Sequence, residues 1–93
     1  MSYRAIDDVI NKWASDNNQV LLSEYKDCEV RSFEVFDKGR KFQIWIDRPE
    51  AGLVGVHVWD YKKKRKDWRV LTTGLYPALD GAFATVFQWN QVQ

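Results

Sequence analysis

The stretch Phe33-Glu34-Val35-Phe36-Asp37-Lys38-Gly39-Arg40-Lys41-Phe42-Gln43-Ile44-Trp45-Ile46 decides the fold. Phe33 and Val35 stand two apart, as do Phe42, Ile44 and Ile46, which is the period of strands that bury one face. Between the runs, Asp37-Lys38-Gly39-Arg40 has the composition of a tight turn, so the stretch predicts an antiparallel hairpin.

Working outward, Arg48-Pro49-Glu50-Ala51-Gly52 predicts a second turn, and Val54, Val56 and Val58 a third strand, where β-branched side chains suit the pleat. Tyr61-Lys62-Lys63-Lys64-Arg65-Lys66-Asp67 is polar enough for a hairpin tip, and Trp68-Arg69-Val70-Leu71 resumes a strand pattern. The expectation is an antiparallel β-meander of three or four strands.

Helices flank this meander. Ile6, Val9, Ile10, Trp13 and Ala14 fall on one helical face, which predicts a helix over Tyr3–Ser15. Ser2 is its N-cap candidate, Asp7 and Asp8 lie near the positive end of its dipole, and Asp16-Asn17-Asn18 stops it. After Thr72-Thr73-Gly74, Leu79, Ala82, Phe83, Val86 and Phe87 predict a closing helix over Pro77–Trp89, with Gly81 marking close packing on the sheet. Residues 19–27 follow neither period, and whether Val20–Leu22 adds a strand is open at this level.

The result is an α+β fold: a two-layer sandwich in which both helices stack on one face of the sheet. At 93 residues, 45% apolar and 29% charged, the chain has the balance of one folded domain spanning 1–93. Cys28 is the single cysteine, so no internal disulfide can form, which fits a reducing compartment. Neither a signal-peptide core nor a membrane-length apolar run is present, and the expectation is a soluble, cytoplasmic protein with no membrane partner.

With helices on one face, the other is left to solvent, and alternation says what it carries. If Phe42, Ile44, Ile46, Val54, Val56 and Val58 point inward, then Gln43, Trp45, Gly55, His57, Trp59 and Tyr61 point outward. Trp45, His57, Trp59 and Tyr61 form the candidate binding face, an aromatic platform with Lys41 and Arg69 nearby. It suits a protein partner, a second copy above all, or unpaired nucleobases; residues 19–27 or the C-terminal end could also cover it.

Charge adds a second candidate surface. Residues 1–30 hold three Lys or Arg against six Asp or Glu, and residues 31–69 hold eleven against six. Lys62, Lys63, Lys64, Arg65, Lys66 and Arg69 are the candidate phosphate contacts, although a charged tip also keeps sheet edges from aggregating. The order helix, strands, helix is that of double-stranded-RNA-binding domains, which are expected to carry a Lys-rich anchor at the start of the last helix. Here that segment reads Tyr76-Pro77-Ala78-Leu79-Asp80-Gly81 without a base, so element order is all that is shared.

Catalytic chemistry has little to work with. One His and one Cys allow a single pair, the glycines lack phosphate-loop spacing, and a zinc site needs more soft ligands. The expectation is a non-enzymatic binding or assembly module with no cofactor and no metal, with nucleic-acid binding as the alternative.

Overall fold

A computed structural model describes residues 2–60, 62 and 64–91. Its strands form a sheet of five in sequence order, β1 (Leu22–Tyr25), β2 (Cys28–Asp37), β3 (Arg40–Ile46), β4 (Leu53–Trp59) and β5 (Arg65–Leu71), all antiparallel neighbours. Helix α1 (Asp7–Asp16) precedes it and helix α2 (Leu75–Gln91) follows. The α+β sandwich is as expected, with one strand more than the alternation reveals: residues 22–25 pair with the start of β2.

Turn chemistry explains why the meander is so regular. Lys26 and Asp27, Lys38 and Gly39, and Ala51 and Gly52 form consecutive pairs with positive φ. Two adjacent left-handed residues make the type I′ turn, whose twist matches that of the strands it joins. The link from β4 to β5 is longer and is held by Asp60, whose carboxylate accepts from the backbone N–H of Lys62 at 2.9 Å and Lys64 at 2.6 Å. The basic run is therefore not all tip: Arg65 and Lys66 already belong to β5.

At the N-terminus, Ser2 Oγ accepts from Arg4 N–H and caps a 3₁₀ turn over Tyr3–Ala5 that leads into α1. Asn18, at φ 55°, takes the left-handed conformation that ends α1. Helix α2 starts two residues before Pro77, at Leu75.

Both helices cover one sheet face. Ile6 at the N-cap of the first with Ile10 and Trp13 within it, and Leu75, Leu79, Ala82 and Val86 from the second, are buried against Phe33, Val35, Phe42, Ile44, Ile46, Val54, Val56 and Val58. Trp13 sits at the centre, its ring 5.2 Å from Phe33 and 5.3 Å from Phe83, and its Nε1–H donates to Asp80 at 2.9 Å. At the margin, Arg31 pairs with Asp7 at 2.7 Å and lies over the Tyr3 ring, whose hydroxyl donates to the Ile46 carbonyl. No described helix is long and apolar enough to cross a membrane.

Candidate functional site

The helix-free face carries the side chains that alternation sends outward. Cross-strand pairing aligns Ser32, Trp45, His57 and Asp67 in one row and Glu34, Gln43, Trp59 and Arg65 in the next. Directly paired residues share a face, so these rows stand side by side.

Aromatic rings run along the face from β1 to β4. Tyr25 meets Trp45 edge-on at 5.6 Å, Trp45 meets Trp59 edge-on at 6.0 Å, and His57 stacks on Trp59 at 6.0 Å. The indole N–H of Trp45 donates to Gln43 at 3.0 Å, and the Arg65 guanidinium caps Trp59 at 5.2 Å. The tilted rings cover one another, so Trp45 and Trp59 are half-buried rather than a bare platform. Tyr25 shows that the 19–27 segment covers the platform's edge but not the whole of it.

Beside the rings lies an ionic cluster. His57 Nε2 is 2.7 Å from Asp47 Oδ2, and its Nδ1 is 2.6 Å from Asp67 Oδ1, which also accepts from Arg65 Nε at 2.7 Å. Two carboxylates on one imidazole require both ring nitrogens to donate, so the geometry is that of an imidazolium. Burial pulls the pKa of His57 down, but its hydrogen bonds to Asp47 and Asp67 and their charges outweigh it and hold it above 6.5. Asp67 is pushed below the ordinary carboxylate range by His57 first and Arg65 second.

Gly55 makes this arrangement possible. A Cβ there would stand 2.5 Å from Asp47 Oδ2 and 3.3 Å from His57 Nε2.

Of the residues expected at the site, Trp45, His57 and Trp59 lie side by side on the open face; Tyr61 and Lys63 lie outside the described residues. The basic residues do not form one surface. Arg65 and Arg69 point to the open face, whereas Lys66 and Lys64 reach the helical side, over Trp68 at 5.1 Å and Trp89 at 5.3 Å. Lys62 is exposed at the tip. Sequence reasoning missed Asp47 and Asp67, whose roles need the hairpin registers. It also missed Phe36 and Leu22, exposed at 69% and 38%, although Phe36 is out of phase with Phe33 and Val35.

Comparison with protein-family models, curated proteins and solved structures returns no match.

Proposed function

We propose that this chain is a non-enzymatic protein-binding module that assembles through the open face of its sheet, with a second copy of the chain as the occupant. The observation that carries the reading is an aromatic row, Tyr25–Trp45–Trp59, set among charges of both signs. Glu34, Asp47 and Asp67 stand on this face against Lys41, Arg65 and Arg69. Balanced acids and bases complement a surface of the same kind and repel a phosphate backbone as much as they attract it.

Size supports the reading as well. Strands about 4.8 Å apart and about 3.3 Å per residue along seven-residue strands give the face a flat footprint of roughly 500 Å². Side-chain relief raises this toward the about 800 Å² per partner of a standard interface.

Light scattering tests it, at low and high salt, with the absorbance ratio read for co-purifying nucleic acid. A dimer at both salts is expected, together with a monomer of unchanged far-UV circular dichroism for Trp45→Ala/Trp59→Ala. A wild-type monomer at millimolar concentration would overturn the reading. A monomer that carries nucleic acid at low salt and sheds it at high salt would put the alternative first: a nucleic-acid-binding domain using these aromatics with Lys62–Lys66 and Arg69.

A further inference from the structure

Strand β2 runs further than the strand beside it. β1 pairs with it at Leu22↔Ser32, Glu24↔Glu29 and Tyr25↔Cys28, whereas β3 follows it as far as Asp37↔Arg40. Residues 33–37 therefore have a strand on one side alone. The two-residue turn at Lys38-Gly39 makes Asp37↔Arg40 a pair that exchanges both hydrogen bonds. Alternation then turns the backbone groups of Val35 toward β3 and those of Glu34 and Phe36 outward, to the side where β1 has ended.

The chain before β1 leaves that side open. Gln19 N–H donates to the Ala14 carbonyl, which ties the segment to the end of α1. Between it and β2 runs a groove of about 500 Å³ lined by Asn18, Gln19, Val20, Leu22, Glu34 and Phe36. Val20 is 80% exposed and Phe36 69%. Glu34 is the one charged residue of this lining; Lys41 meets it from the β3 side at 3.7 Å, an exposed pair that a second base can share.

The other free edge has a different character. β5 places Arg65, Lys66, Asp67 and Arg69 along its length, the charge pattern by which natural sheets turn strands away. The β2 edge presents an acid between apolar side chains, with unpaired backbone donors and acceptors beside them.

We infer that the β2 groove takes an extended peptide segment of a partner protein, which adds beside Glu34 and Phe36 as a further strand. Backbone pairing supplies the attachment, and peptide side chains two residues apart, which share the open face with Glu34 and Phe36, select it: basic against Glu34, apolar against Phe36, Val20 and Leu22. The site lies at the margin of the sheet, not over Trp45 and Trp59, and goes beyond the face-to-face assembly proposed above.

The probe is a synthetic Thr-Lys-Thr-Val-Thr-Lys peptide, capped at both ends and titrated into the full ¹⁵N-labelled chain. The expected result is saturable shifts and slowed exchange at the Glu34 and Phe36 amides. Phe36→Ala is expected to weaken the peptide about tenfold, and Glu34→Lys to reverse the preference toward Thr-Glu-Thr-Val-Thr-Glu. The inference is overturned by unmoved Glu34 and Phe36 amides at millimolar peptide, by shifts centred on Trp45 and Trp59, or by equal binding of a peptide N-methylated along its pairing edge. Loss of peptide binding with an intact wild-type dimer refutes the groove alone; a monomer that binds the peptide refutes the face alone.

Discussion

Raising the pH from 5.5 to 8.5 is expected to destabilise this protein through one side chain, His57. Its pKa in the folded chain is held above 6.5 by Asp47 and Asp67 against the opposing pull of burial. A group with a raised folded-state pKa contributes stability that is fully present below its unfolded value. That stability is lost as pH rises through the folded value, so the loss begins near 6.5 and continues above it. Hydrogen bonds to a charged group contribute about 1.5–3 kcal/mol where water is excluded. Here the His57 side chain is 18% exposed, but Asp47 and Asp67 are 60% and 50% exposed, so screening brings the expected loss to about 1 kcal/mol. Neutral imidazole keeps one N–H. Asp67 retains Arg65 whichever nitrogen is deprotonated, and an Arg65 N–H lies 3.4 Å from Nδ1, so the proton is expected to leave Nδ1 and the bond from Nε2–H to Asp47 to remain. Urea denaturation at pH 5.5, 7.0 and 8.5, on wild type and His57→Gln, measures the effect. Wild type should lose about 1 kcal/mol across the range and the variant should not. Equal wild-type stability at the two ends, or the same decline in His57→Gln, refutes the reasoning.

Three substitutions test other parts of the structure. Gly55→Ala puts a methyl group where Asp47 Oδ2 sits, so the carboxylate must swing away from His57; the His57 ring-proton titration followed by NMR should move to lower pH with little change in melting temperature. Gly81→Ala should stabilise by up to about 1 kcal/mol in chemical denaturation, because a Cβ there meets the Trp68 indole at 3.5 Å, an ordinary contact, and glycine is costly inside a helix. Phe33→Ala removes a fully buried ring that packs on Trp13, and should cost about 3–5 kcal/mol, a large share of the about 5–15 kcal/mol of a small domain, read as a lowered urea midpoint.

The elements legible in the sequence are those whose period is set by burial. β3 and β4 alternate without a fault because Phe42, Ile44, Ile46, Val54, Val56 and Val58 all face the helices, and α1 shows its face in Ile6, Ile10 and Trp13. β1 is different: Leu22–Tyr25 is exposed throughout and its register shifts between Leu22 and Glu24, so neither burial nor an unbroken ladder imposes a period on it. Trp45, His57 and Trp59 could be placed on the open face for the same reason that β3 and β4 could be read. The carboxylates that hold His57 could not, since Asp47 lies beyond the end of β3 and Asp67 reaches the ring across a pairing that depends on the β4–β5 register. Composition shows a basic run; the strand divides it between two faces.

That division bounds what the protein could do with nucleic acid. Each side chain from Lys64 to Lys66 rests over a tryptophan, but of different elements: Trp89 in α2, Trp59 in β4 and Trp68 in β5. On the open face the sequence along β5 is base, acid, base, with Asp67 between Arg65 and Arg69. A duplex lying along β5 on this face would meet two cations and the carboxylate between them. Two neutralised phosphates give a slope of about −2 for the logarithm of affinity against the logarithm of salt concentration. Fluorescence anisotropy of a labelled duplex from 50 to 300 mM salt measures the slope. A value of about −2 or shallower agrees with the divided run and leaves protein assembly as the leading function. A slope of about −5 requires Lys62, Lys64 and Lys66 to contact phosphate together with the arginines, and that outcome would refute the division and make nucleic acid the partner.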